Sequence, residues 1–271
     1  MVCSAPQMSP DLYFALTLVV KMAVTAGFVV LATMTAERAG PLVGGLVATL
    51  PLGAGPVYVF LALDHGAQFI GTSALNSLGI NNANVIFAFA YALLAQKRSL
   101  LVSQAIALVV WAVLAWGVHI IHWTVPLGVA VNAVVLGTCI TLARPLRHVR
   151  IPPVRTYWYD IAMRAGMVAL LVGLTVTLSF RIGAAASGIL AVFPIILISV
   201  QIILHRRVGG PPSAAVMANA VVGLIGFACA CVVLHYTAVS FGAAIGLTLA
   251  LATSVTWGLV VYTARRRGIA L

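Results

Sequence analysis

Charged residues are scarce in this chain, and acidic residues are almost absent. Of its 271 residues 7% are charged, with 4 Asp and Glu against 15 Lys and Arg, while 63% are hydrophobic. A soluble domain is about 25% charged, so the composition excludes an ordinary soluble protein. We predict an all-α integral membrane protein, because the length accommodates about nine spans of about 20 apolar residues each.

Cysteines and enzyme-like motifs are also sparse. The four cysteines (Cys3, Cys139, Cys229, Cys231) are scattered, so neither a disulfide framework nor a metal site is predicted. The first ten residues lack the pattern of a cleavable signal peptide, so we expect the first span to direct insertion. No nucleophile–base or carboxylate pair is recognisable. We therefore expect no enzyme activity and no cofactor, with a sodium ion as the one candidate exception.

An internal repeat relates the two halves of the chain. At one constant offset and without a gap, residues 21–76 match residues 164–219. Matches among apolar residues would carry little weight in so apolar a chain, but matches of Arg, Lys, Pro and Asn indicate a duplication. The matched pairs include Lys21 with Arg164, Arg38 with Arg181, Gly40 with Gly183, Pro51 with Pro194 and Asn76 with Asn219.

Apolar runs between charges and Gly/Pro clusters predict nine transmembrane helices. These are 12–35, 40–63, 68–95, 99–118, 124–143, 157–180, 183–204, 212–235 and 241–263. With the N-terminus outside and the C-terminus inside, the inner loops hold twelve of the fifteen basic residues, as the positive-inside rule requires. Arg181 alone falls in an outer loop, and we attribute its position to duplication because Arg38 is its repeat partner.

This topology predicts an inverted repeat of four, one and four helices. The segments are residues 1–122, a connecting helix and basic loop over 123–156, and residues 157–271. We expect a multi-pass protein of a cell membrane, in particular a bacterial inner membrane. The inner basic residues would contact anionic lipids, so no nucleic-acid partner is invoked. A homo-oligomer is a further expectation.

Spans 2 and 7 are interrupted by glycine and proline at matching places. Pro51 interrupts span 2 and Pro194 interrupts span 7. Proline removes a backbone donor, and the freed carbonyls need partners within a membrane. Paired broken helices in the two halves indicate a transport site. The alternative is a pair of kinked helices with small residues for close packing.

Span 3 is unusually polar. Its amides and hydroxyls would be costly facing lipid, so they must point inward, and several recur at helical spacing. One interpretation is a substrate or sodium site built of neutral oxygens, and the alternative is interhelical hydrogen bonding. The candidate residues are Ser73, Asn76, Ser77, Asn81 and Asn82, with Asn84 on the same face as Ser73 and with Asn219 as the repeat partner in span 8.

Two cations, Lys21 and Arg164, lie within spans at equivalent repeat positions. Asp160 lies one helical turn from Arg164 and could pair with it, whereas Lys21 has no local carboxylate. Intramembrane ionisable residues are functional candidates, so these cations predict an anionic ligand. The alternatives are snorkelling of Lys21 to the outer surface and a structural Arg164–Asp160 pair.

Together these features predict a secondary transporter that moves a small organic anion, or an amphipathic molecule bearing a carboxylate, by alternating access. Coupling to sodium, coupling to protons and facilitated diffusion all stay open. The plan is similar in outline to sodium–bile acid symporters and cation–proton antiporters, which also combine inverted repeats with broken helices. The alternatives are a channel or facilitator for small solutes, and a lipid-processing or accessory subunit using His119, His122 or His235. For His119 and His122 we prefer the explanation that they occupy interfacial positions beside tryptophans.

Overall fold

The computed structural model describes residues 9–38, 53–149 and 157–267, and these residues form α-helices joined by short turns. In chain order the helices are α1 (Pro10–Arg38), α2 (Ala54–Asp64), α3 (Ala67–Leu94), α4 (Leu100–Ile120), α5 (Val125–Leu142), α6 (Trp158–Ala191), α7 (Ile195–Val208), α8 (Gly210–Phe241) and α9 (Ala243–Arg266). A short 3₁₀ helix, Arg144–His148, follows α5. Within this part of the chain the prediction of an all-α protein is confirmed.

Seven stretches of the described chain are long and apolar enough to cross a membrane. One of them, Trp158–Val208, contains both α6 and α7, and α2 is a shorter apolar helix of 11 residues. The protein is therefore a multi-pass membrane protein by helix length and composition. The first part of predicted span 2, including Pro51, lies outside the described residues. The count of nine, the inverted repeat and the orientation stay predictions.

Helix α3 is the central helix of the fold. Of its most apolar membrane window 72% is buried, against 17% to 28% for α1, α4, α5 and α9. Helices α4, α5, α6 and α8 all pack against it. Small residues allow this crowding: a Cβ atom on Gly79 would lie 2.6 Å from the Trp123 ring, and one on Gly71 would lie 2.7 Å from Val239. Because α3 contacts protein on nearly every side, its polar side chains are held away from lipid.

The stretch from α6 to α7 bends once and breaks once. Gly183, the repeat partner of Gly40, has φ 74° and bends α6, a left-handed backbone conformation that glycine adopts without a steric penalty. The helix then ends at Ala191, and α7 begins at Ile195 after Pro194. Proline has no backbone N–H, so it cannot continue the α6 hydrogen-bond ladder. The predicted interruption of span 7 at Pro194 is therefore confirmed.

Candidate binding site

Polar side chains of α3 satisfy backbone carbonyls on the second half of α6. Ser77 Oγ donates to the Gly188 carbonyl at 2.7 Å, and Ser73 Oγ donates to the Ala184 carbonyl at 2.9 Å. Gly188 lies in the last turn of α6, where carbonyls have no partner within the helix. A hydrogen bond from the neighbouring helix removes the cost of leaving such a group unpaired in a membrane.

The helix break itself is fixed by Asn84. Its Nδ2 donates to the Val192 carbonyl at 2.9 Å, and its Oδ1 accepts from Trp111 Nε1 at 2.7 Å. The Trp111 ring packs edge-on against Phe193, with ring centroids 4.9 Å apart. Asn84 and Trp111 are both buried. The interruption between α6 and α7 is thus clamped by an amide and an indole from two neighbouring helices.

A second amide cluster joins α3 to α5 and α8. Asn81 Nδ2 donates to Asn132 Oδ1 at 2.8 Å and to the Leu224 carbonyl at 3.3 Å. Asn132 Nδ2 in turn donates to the carbonyls of Leu78 and Gly128. Asn81 Oδ1 is buried and accepts no hydrogen bond from the described part of the protein. The cluster therefore has one free acceptor.

The remaining predicted polar residues bond within their own helices. Asn76 donates to the Thr72 carbonyl, Asn82 to the Gly79 carbonyl and Asn219 to the Ala215 carbonyl. The amides of α3 therefore point to different neighbours and do not converge on one point. Ser73, Ser77, Asn81 and Asn84 make the interhelical hydrogen bonds that formed the alternative interpretation. A substrate role for these residues stays a prediction.

Lys21 has no local carboxylate, but it has a partner that is distant in sequence, Asp64, which helical spacing did not predict. Lys21 Nζ lies 2.5 Å from Asp64 Oδ1 and 2.6 Å from Oδ2, and its side chain is 11% exposed. The two residues are 43 positions apart in sequence, and Asp64 is the last residue of α2. Both α1 and α2 pack against α6, which brings the carboxylate at the end of α2 within reach of a lysine on α1.

Asp160 forms an ion pair with Arg207, a partner that helical spacing did not predict, while its alternative pairing with Arg164 stays a prediction. Arg207 Nη2 lies 2.5 Å from Asp160 Oδ2. Asp160 also accepts a hydrogen bond from the Tyr157 backbone N–H in a capping box at the start of α6. The Arg207 guanidinium lies over the Tyr157 ring, 4.6 Å from its centroid. The carboxylate thus joins the start of α6 to the end of α7.

The two ion pairs occupy related places in the two halves. At the repeat offset, Lys21 matches Arg164 and Asp64 matches Arg207. Asp64 ends α2 and Arg207 lies in the last turn of α7. In each half, an ion pair therefore ties the end of a short second helix to the first long helix. The charges are exchanged between the two pairs: the long helix carries Lys21 in the first and Asp160 in the second, and the short helix carries Asp64 and Arg207.

A largely apolar cavity of about 480 Å³ lies between α1, α2, α8 and α9. Its walls combine aliphatic and aromatic side chains with a few hydroxyls. Polar groups on its wall include Tyr58, whose hydroxyl lies 2.7 Å from Ser77 Oγ. Other residues that line the cavity include Val24, Phe28, Val59, Phe60, Ala250 and Leu251.

The Lys21–Asp64 ion pair lies just beyond one end of this cavity, next to the lining residue Phe60. Lys21 Nζ is 5.9 Å from the centroid of the Phe60 ring, and Phe60 lines the cavity one turn before Asp64. On α1 the lining residues Val24 and Phe28 follow Lys21 by about one and two turns. All of these lining residues are on the same side of the ion pair along both helices. The site therefore has a charged end and an apolar body.

His65 borders the charged end and adds no charge at neutral pH. Burial lowers the pKa of His65 below its usual value, although Asp64 opposes the shift and Lys21 adds to it. The ring stacks on Phe69, with centroids 3.9 Å apart, and Nε2 lies 2.8 Å from Ser179 Oγ. Because the His65 ring is neutral, the charges beside this end of the cavity are those of Lys21 and Asp64.

The histidines of the enzyme alternative do not form a metal cluster within the described residues. His119 and His122 are exposed at the end of α4 and in the turn after it. His235 Nδ1 lies 2.8 Å from the Gly71 carbonyl, which ties α8 to α3.

Three site residues were missed by sequence reasoning. They are Asp64, Asn132 and Tyr58. A usable signal was present for Asp64: its repeat partner Arg207 is also charged, and both residues follow a charged repeat pair at the same spacing. Asn132 and Tyr58 leave no pattern of this kind.

Replacing Asn84 with Ala should lower the free energy of unfolding by about 1–3 kcal/mol, because it leaves the Val192 carbonyl and the Trp111 indole N–H buried without partners. Thermal unfolding in detergent measures the effect. The matched control is Asn76→Ala, which removes an amide bonded within α3 and half-buried. Equal destabilisation by the two substitutions would contradict the proposed clamp.

Comparisons with known proteins give no relative: no family model, curated protein or solved structure matches this chain.

Proposed function

We propose that the protein is a secondary transporter that works by alternating access between the two membrane faces. The observation that carries this proposal is the helix interruption between Ala191 and Ile195, with its carbonyls held by side chains of α3. Broken helices near the membrane centre expose backbone groups that can bind a substrate. Such backbone is tolerated within a membrane where protein or a water-filled cavity surrounds it.

Packing between helices supports a two-fold relation between the two halves, which an inverted repeat requires. At the repeat offset α2 corresponds to α7, and α4 corresponds to α9. Helix α2 packs against α9, and α7 packs against α4, so each short helix contacts the last long helix of the other half. This reciprocal exchange is expected of two copies related by a pseudo-two-fold axis. It supplies the interface across which one half could move against the other.

The proposed substrate is a small molecule with an acid group, as the sequence predicts, but the structure changes the argument. Lys21 is already neutralised by Asp64, so a substrate anion must displace that carboxylate. The apolar cavity beside the pair favours the amphipathic version of the proposal over a small hydrophilic anion. Because Asp64 would be freed at each binding event, a cation or proton could bind it in exchange.

Alternating access predicts that a thiol placed at the helix break reacts from both sides of the membrane. The experiment uses Phe193→Cys in a variant without native cysteines, labelled with a membrane-impermeant maleimide. We expect labelling in right-side-out and in inverted vesicles. Phe193 is half-buried at the break between α6 and α7, so the reagent can reach it only through a solvent path that opens to each face.

The matched control is Leu170→Cys. Leu170 lies on α6, is 55% exposed and would face lipid in a membrane. A thiol in lipid is not ionised and reacts slowly, so this variant should stay unlabelled. Labelling of Phe193→Cys from one face alone would contradict alternating access. Steady conductance across a planar bilayer, without saturation, would instead support the channel alternative.

A further inference from the structure

We infer that the cavity between α1, α2, α8 and α9 binds a zwitterionic amphiphile, whose chain fills the cavity and whose ammonium and acid groups pair with Asp64 and Lys21. As a statement about the transported substrate, this inference rests on the proposed function. As a statement about binding, it stands on the geometry of the cavity alone.

The charges beside the end of the cavity are balanced. Lys21 and Asp64 are one cation and one anion, with side chains 11% and 18% exposed. A ligand with only an acid group would pair with Lys21 and leave Asp64 as an uncompensated, partly buried charge, which is strongly unfavourable. A ligand with an ammonium and an acid group can give each residue a new partner, so the exchange leaves no charge unpaired.

The hydrogen-bonding groups of Lys21 and Asp64 favour particular ligand groups. A lysine ammonium has three donors and no acceptor, and a carboxylate accepts at two oxygens. A phosphate or carboxylate is therefore the natural partner of Lys21, and a primary ammonium with N–H donors is the natural partner of Asp64. A quaternary ammonium has no N–H group, so it would bind Asp64 less well.

The cavity is accessible from the bilayer. Four apolar lining residues are exposed and not enclosed by the protein: Val24 by 57%, Val59 by 46%, Phe28 by 44% and Leu251 by 44%. The cavity is thus continuous with the surface that lipid covers in the proposed arrangement. A hydrocarbon chain can enter the cavity sideways from the bilayer. For a single-chain amphiphile dissolved in water, the burial of each methylene group in the cavity is also favourable.

The charged and apolar parts of the site follow one another along α2. Asp64 ends α2 and is followed by the turn at His65 and Gly66, which we place near a membrane surface because lipid would leave the backbone of a turn unsatisfied. The cavity extends from the pair toward the start of α2, where Ala54 and Pro56 line it. This order, charged at the surface and apolar below, matches an amphiphile lying in one leaflet.

The test is a binding measurement on the purified full chain in detergent, with single-chain lipids that differ in the headgroup. The probes are lysophosphatidylethanolamine, which has an ammonium and a phosphate, and lysophosphatidic acid, which has the phosphate alone. We expect binding of the former to be about tenfold tighter, a difference of about 1.4 kcal/mol. Asp64→Asn should reduce this ratio to about one, because it removes the ammonium partner.

A cavity variant keeps the test informative if Asp64→Asn does not fold. Ala250 lines the cavity and is buried, whereas Ala252 lies on the same helix with its side chain exposed. We expect Ala250→Phe to weaken binding of both lipids by about tenfold or more and Ala252→Phe to change neither. Equal affinity of the wild-type protein for the two lipids would overturn the inference, as would equal effects of the two phenylalanine substitutions.

Failure of transport and failure of the site have different signatures. Lysophosphatidylethanolamine that binds with the expected preference, yet is not moved across reconstituted vesicles, would contradict the proposed transport of this ligand and support the site. Alternating labelling of Phe193→Cys together with no headgroup preference would support the transporter and overturn the zwitterion site.

Discussion

Replacing Lys21 with Met should lower the free energy of unfolding by about 3 kcal/mol, because it leaves the Asp64 carboxylate partly buried without its counter-ion. Asp64→Leu alone should have a similar effect by stranding the ammonium of Lys21. The double variant, Lys21→Met with Asp64→Leu, should recover to within about 1 kcal/mol of the wild type, since a buried ion pair exchanged for apolar side chains is often neutral. Thermal or denaturant unfolding of the four proteins in detergent gives the full double-mutant cycle.

Lys97→Met is the control for loss of a positive charge as such. Lys97 is exposed in the turn after α3, and substitutions at such positions usually change stability by less than about 0.5 kcal/mol. If Lys21→Met were as harmless as Lys97→Met, Lys21 would behave as a solvated, snorkelling lysine, and both the ion pair and the charged end of the cavity would lose their support.

Gly188→Ala should be among the most disruptive single-methyl changes in this protein. A Cβ atom at Gly188 would lie 2.2 Å from the Ser73 carbonyl oxygen, and the neighbouring atoms are also backbone. Neither helix can relieve this clash by rotating a side chain, so α3 and α6 must separate. Separation weakens the hydrogen bonds from Ser73 and Ser77. We expect a loss of about 3 kcal/mol, at the upper end for overpacking, measured by thermal unfolding.

The control for this substitution is Gly166→Ala, at the other end of the same helix. No atom lies within 4 Å of a Cβ built on Gly166, and alanine favours a helix over glycine by up to about 1 kcal/mol. Gly166→Ala should therefore be neutral or stabilising. Comparable losses in both variants would show that the close approach of α3 and α6 at Gly188 is not present in the folded protein.

The helices of this fold could be predicted because their signals are local. Apolar runs gave the long helices, and Gly183 and Pro194 marked the bend and the break because glycine and proline act on the backbone at their own positions. The inward face of α3 was also predictable, since Ser73, Ser77 and Asn84 recur at helical spacing and lipid would not satisfy them.

The charged end of the cavity could not be predicted because its parts are distant in sequence. Lys21 meets Asp64 only after α1 and α2 have packed against α6, whereas helical spacing relates residues no more than four positions apart. Helical spacing likewise offered only Arg164 as a partner for Asp160, and the Arg207 partner appears only through tertiary packing. The cavity itself depends on how four helices fail to fill the space between them, which no spacing within one helix records.

The amides of α3 also impose an order on how the protein is made. Their partners on other helices at Ala184, Gly188, Val192 and Leu224 follow them by 108 to 143 residues. At a synthesis rate of about 5–20 residues per second, that distance corresponds to roughly 5–30 s during which α3 has left the ribosome ahead of its partners. The nascent chain must therefore shelter its most polar span until the second half arrives. Neither half is complete alone, and the finished bundle is assembled late.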